Sequence, residues 1–182
     1  MRFKISTLIV LIFVLCSCKD KDRFANKIKT IDSLHTLIEK KITDFKSIDT
    51  LKLNSCLNEY YSNLKLISDS LKDTLSINYL QVFNKYKSCE APMQFITENY
   101  KSILNESLLS KQQLKKLSDD LKNDVIEDEF VFEYFSIEKM EAEKMIEALS
   151  SNYNLAKETS DTFLKYNKKI QLLIRAIETQ KP

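Results

Sequence analysis

Glycine is absent from all 182 residues, tryptophan is absent too, and proline occurs only at Pro92 and Pro182. Ordinary chains carry ~7% glycine. Tight hairpins draw on glycine for positive φ, and phosphate-cradling loops need it where backbone approaches ligand. Its absence excludes the P-loop and dinucleotide-binding fingerprints and argues against a sheet. Histidine is almost missing as well: His35 stands alone. Metal sites in helical bundles recruit several His and carboxylate ligands, often as Glu-x-x-His pairs, and no such pair is present. A Ser-His-Asp arrangement beyond chance is equally unreadable around one histidine.

What is present begins with a compact leader. Arg2 and Lys4 precede an apolar run from Leu8 to Cys16. A helix needs ~20 apolar residues to cross a bilayer, so this run is short for a span. A basic start, a short apolar stretch and a small residue at the cut describe a secretory signal peptide. Leu15-Cys16-Ser17-Cys18 then resembles the lipobox of bacterial lipoproteins. That family places a branched apolar residue three before the modified cysteine and a small residue just before it. The resemblance implies cleavage between Ser17 and Cys18 and lipid attachment at Cys18. Cys16 fits poorly, because Leu15 would fill the small-residue site. Residues 1–17 are thus expected to be a signal peptide, and 18–23 a lipidated cysteine with a charged tether. Lys19-Asp20-Lys21-Asp22 is similar to the lysine-plus-acidic tether of surface-exported lipoproteins in some Gram-negative bacteria, and reads equally well as a solvated linker. The resemblance stops there and leaves residues 24–180 as a single helical domain of no named family.

Charge narrows the partners. The leader takes two of the 28 basic residues and none of the acidic ones, so the chain from Cys18 onward carries 26 of each. A neutral balance lacks the electrostatic footprint of nucleic-acid binding.

Alternating three- and four-residue apolar steps run through the remainder, the pattern of helices with one buried stripe. One seam follows Phe24, Ile28, Ile31, His35, Ile38, Ile42 and Phe45. Another follows Leu53, Leu57, Tyr60, Leu64, Ile67 and Leu71, and the eight-residue step from Phe45 to Leu53 marks a helix end or a stutter. A third runs from Tyr79 through Cys89 and Met93 to Ile103. Asn105-Glu106-Ser107 reads as a connection, with Ser110 and Gln113 as a capping box opening a short helix. The longest seam runs from Phe132 to Ile177, interrupted by Lys139, Ser160 and Asn167. Asn167 and Ser160 read as register-setting polar positions. Such stripes bury against each other, so the expected fold is all-α. It is an elongated antiparallel bundle of three to five helices with a long C-terminal helix and no sheet. Hairpin turns are expected near Lys72–Ser76 and near Asn123–Glu129.

Few candidate sites remain. Cys56 and Cys89 lie at equal distances from the expected turn at Lys72–Ser76, so antiparallel helices bring them to one height. In an exported chain that pattern points to a disulfide, the alternative being two buried free thiols. Glu127-Asp128-Glu129 lacks the loop pattern of a calcium site and suits a turn that favours the next helix start. Phe130, Phe132, Tyr134 and Phe135 cluster beside that turn, as core packing or as an apolar tip for a partner. Together these features predict a non-enzymatic lipoprotein of the cell envelope, most simply of the outer membrane. It would be held to the membrane by its lipid and serve another envelope protein as a structural, adaptor or accessory subunit. No cofactor, metal or nucleic acid is expected. The alternative is an envelope lipoprotein that binds a small ligand or peptide between its helices.

Overall fold

The computed structural model describes residues 23–70 and 77–179. Ser17, Cys18 and the turn expected at Lys72–Ser76 lie outside the described residues. Five helices make up the rest: α1 (Ala25–Lys46), α2 (Thr50–Ser70), α3 (Ile77–Lys87), α4 (Glu90–Lys122) and α5 (Asp128–Thr179). There is no strand among the described residues. At ~1.5 Å per residue α5 is about 78 Å long.

The helices form three rods. α1 and α2 make the first, α3 and α4 return antiparallel as the second, and α5 is an unbroken third. α5 packs against all the others, while α1 and α2 both also pack on α4. The core divides along the rod into two clusters. The lower one gathers Ile31, Ile38 and Phe45 of α1, Leu114, Leu117 and Leu121 of α4, and Val131, Ala142 and Leu149 of α5. The upper one gathers Leu53, Tyr60 and Ile67 of α2, Tyr86 of α3, Met93 and Ile96 of α4, and Phe163 and Ile170 of α5. Ile48, between α1 and α2, packs against both clusters.

Each break has a chemical cause. The step between Phe45 and Leu53 is a helix end rather than a stutter. Ser47 and Ile48 close it with N–H bonds to Asp44 and Phe45 carbonyls at 3.1 Å. Asp49 then caps α2, its Oδ1 accepting from the Lys52 N–H at 2.9 Å. The third seam predicts no interruption, yet α3 stops at Lys87 and α4 starts at Glu90. Pro92 explains this, since it has no N–H for the Ser88 carbonyl and its ring would crowd that group; in the first turn of a new helix it is tolerated. The connection expected at Asn105–Ser107 is not there, because α4 runs straight through it. Met93, Ile96, Tyr100, Ile103, Ser107, Ser110, Leu114, Leu117 and Leu121 keep an unbroken three-four alternation, and both serines are buried. The Ser107 hydroxyl donates to the Leu104 carbonyl at 2.7 Å, so its polarity is satisfied inside the helix.

The lower hairpin turns where the sequence places it. With no glycine to use, the chain puts Asp124 into the left-handed region at φ 52°. The Val125 N–H reaches back to the Asp120 carbonyl at 3.0 Å, the long bond of a Schellman closure. Arg23 pairs with Asp128 across the same end, so the start of α1 and the start of α5 lie together.

The α5 stripe runs through both core clusters. Phe163 is fully buried and stacks on Tyr86 with ring centroids 5.4 Å apart, whereas its neighbour Leu164 is 40% exposed. Phe163→Ala is expected to cost about 3–5 kcal/mol in urea unfolding, by loss of transfer energy and creation of a cavity. Leu164→Ala should stay within about 0.5 kcal/mol. Equal costs would contradict the placement of the stripe.

Candidate functional site

Asn167, one of the polar residues that interrupt the α5 seam, is the centre of the most connected group of side chains among the described residues. Asn167 Oδ1 accepts from Asn63 Nδ2 at 2.9 Å and from the Tyr86 hydroxyl at 3.1 Å. Its Nδ2 donates to Glu59 at 2.8 Å. Asn63 Nδ2 donates also to the Tyr86 oxygen at 3.0 Å, and Asn63 Oδ1 accepts from Gln171 at 3.0 Å. Five side chains from α2, α3 and α5 thus use their hydrogen-bonding capacity on one another. Among the described residues no buried side-chain nitrogen or oxygen lacks a partner.

The sequence pattern picks out Asn167 and its third seam runs through Tyr86, but it passes over Asn63 and Glu59. The buried positions of α2 are Leu53, Cys56, Tyr60, Asn63 and Ile67, a strict three-four alternation. Leu57 and Leu64, which the apolar pattern places on that seam, are only partly buried. Following spacing rather than hydrophobicity would have found Asn63 and Cys56. Ser160 is half-buried, and Thr159 beside it takes the buried position.

Burial tunes the phenols in this region. Tyr86 is pushed up from its ordinary value of 10 to about 12, mainly by desolvation. Tyr60 is also raised, by desolvation first and then by its hydroxyl's donation to Glu90 at 2.8 Å. Cys56 and Cys89 are free thiols in the structure, where the sequence pattern predicts a disulfide. Both do lie in the upper core cluster, as the turn geometry suggests. The Cys89 thiol instead donates to the Lys85 carbonyl at 3.5 Å. Desolvation raises both thiols, which keeps the reactive thiolate scarce.

A second polar group joins α1 to α4. Asp32 accepts from the Ser118 hydroxyl at 2.7 Å and from Lys122 at 3.2 Å, and Glu39 pairs with Lys111. Ser118 foremost holds the Asp32 carboxyl below the usual range. His35 is half-buried beside them, at the edge of a 430 Å³ cavity shared with Lys111, Lys115 and Lys122. Another cavity of 280 Å³ opens at the α1–α2 break, lined by Asp49, Lys52, Tyr153, Lys157 and Asp161 among others. Among the described residues no three His, Cys, Asp or Glu side chains come together as a metal-holding group. No described helix is long and apolar enough to cross a membrane. Glu127, Asp128 and Glu129 sit at the start of α5, all exposed, with Asp128 paired to Arg23.

The aromatic cluster at that end divides. Val131, rather than Phe132, takes the buried position, Phe135 is partly buried, and Phe130, Phe132 and Tyr134 stand in solvent. The fold thus defines an antiparallel bundle of three rods whose central polar group aligns them. No family model, curated protein or solved structure matches the chain.

The network predicts unequal costs. Asn167→Leu takes the acceptor from the buried Tyr86 hydroxyl and one partner from Asn63 and should cost about 2 kcal/mol, whereas Tyr86→Phe leaves the Asn63–Asn167 bond in place and should cost about 1 kcal/mol. The pH dependence follows from the raised Tyr86 phenol. Folding holds it neutral, so the unfolded chain loses that proton first. Stability is unaffected by this group below pH 10 and falls as pH rises from 10 towards about 12. Urea midpoints across that range should fall more gently in Tyr86→Phe, and an unchanged slope would refute the assignment.

Proposed function

We propose that this chain is a lipid-anchored protein of the bacterial cell envelope, held at the outer membrane through Cys18. Its bundle works without catalysis as a structural, adaptor or accessory subunit. The observation that carries the reading is the placement of the chain start. Arg23, five residues after Cys18, stands at one end of a rod whose longest helix has 52 residues. A tether at that end lets the other end meet a partner up to about 78 Å away. The internal chemistry supports the same reading. Asn63, Tyr86 and Asn167 spend their polar atoms on aligning helices rather than converging on a cavity. A lipid with several acyl chains gives durable attachment, since one chain alone binds only marginally.

The test combines intact mass with crosslinking in native envelopes. Protein purified from its membrane should begin at Cys18 and carry acyl chains, and Cys18→Ala should leave the membrane fraction. Crosslinking should then capture a second envelope protein on the lipidated form. A monomer with no crosslinked partner would overturn the adaptor role. Co-purification of a small molecule in its place would point instead to ligand binding.

A further inference from the structure

The end of the rod nearest the tether carries a group of exposed apolar side chains among its charges. Val125 in the hairpin is 66% exposed and Phe132 on the first turns of α5 is 73% exposed. Phe130 and Tyr134 are also exposed, with their rings 6.3 Å apart. Ile137 and Met140 continue the exposed apolar surface one to two turns further on.

Their arrangement discriminates between occupants. At roughly 100° per residue, Phe130, Tyr134 and Ile137 share one side of α5, while Phe132 projects about 160° away from Phe130. A helix that docks sideways on a protein groove keeps its anchors on one stripe. Here the apolar groups lie on both flanks of the buried stripe of Val131 and Ala142, as a partial collar around the rod's end. A collar suits a plane that meets the rod end-on.

Chain length supplies that plane. Arg23 follows Cys18 by five residues, a span of at most ~18 Å when fully extended. Arg23 pairs with Asp128, only two residues before Phe130, so the aromatic end is the end that the tether holds. We propose that this collar is a membrane-contact surface, seating the rod end-on in the interfacial layer of the bilayer that holds the lipid of Cys18. The proposal rests on the anchoring reading above. Interfacial segments bury their apolar groups ~5–10 Å deep, a depth that the first turns of α5 span, and aromatic rings favour that layer.

Charge makes the proposal more specific. Glu127, Asp128, Glu129 and Glu133 crowd the same end, against Arg23 and Lys27. Apolar burial therefore drives the contact, and a zwitterionic surface suffices; anionic lipid gives no gain.

The missing tryptophan gives a clean assay. Phe132→Trp introduces a single indole into the full lipidated chain, and Leu172→Trp, at a position 64% exposed near the far end, is the control. Each protein is reconstituted through its own lipid into phosphatidylcholine vesicles containing acyl-brominated lipid, and its intact mass is measured alongside. Emission from the reporter at 132 should fall about two-fold while the reporter at 172 is unaffected, because only the former lies within the ~5–10 Å interfacial layer. Replacing part of the phosphatidylcholine with anionic lipid should not deepen the quenching. A lipidated mass with neither reporter quenched overturns the membrane contact and leaves the anchor standing. Equal quenching at both sites means that the rod lies flat and overturns the end-on seating. A blue shift at 132 without quenching, in a species crosslinked to a second copy or another protein, assigns the collar to a protein partner and also overturns it. An unlipidated mass defeats the anchoring reading and the proposal with it.

Discussion

α5 has one apolar stripe and 52 residues along which to bury it. A helix of that length with a stripe on one side gains its stability from what covers the stripe, not from propensity. No single neighbour covers it. α1 covers the lower half and α2 with α3 the upper half, while α4 completes the groove on the antiparallel side. The covering rods break at Ser47–Asp49 and Ser88–Cys89, and the first break leaves the 280 Å³ cavity beside Leu53 and Ala156. Ile48 packs against both core clusters across the first break.

Apolar stripes alone align rods poorly, since one leucine serves a groove much as the next does. The Asn63–Tyr86–Asn167 group removes that freedom in the upper half. A shift of one helical turn would leave several buried polar atoms unpaired at about 1–3 kcal/mol each. The Asp32–Ser118–Lys122 contacts mark the register of α1 on α4 in the lower half, more weakly because they are partly exposed. The result is a rod with defined ends, which both the adaptor role and the end-on seating require.

The all-helical bundle is legible in the sequence because the lack of glycine and the long seams point the same way. The break after Phe45 is legible as a phase jump. The break before Glu90 is not, since the seam continues through it and only the missing N–H of Pro92 interrupts the backbone. Polar residues mislead in both directions. Asn105-Glu106-Ser107 looks like a loop, although Ser107 fills a buried heptad position with its hydroxyl turned onto its own helix. Asn63 looks like surface, although it is among the most buried polar side chains. Hydrophobicity sees neither, because both are decided by which helices approach closely. Likewise Phe132 outranks Val131 as an apolar residue, yet the smaller side chain takes the buried position at the start of α5.

The continuity of α5 past the two levels at which the other rods break is the claim on which this account depends. It can be read as a distance between spin labels introduced by Glu133→Cys and Lys165→Cys, both exposed, with the buried Cys56 and Cys89 left unlabelled. One unbroken helix predicts a single narrow distribution near 48 Å between the backbone positions. A clearly shorter or two-peaked distribution would show that α5 bends or breaks with its neighbours and would contradict the rod.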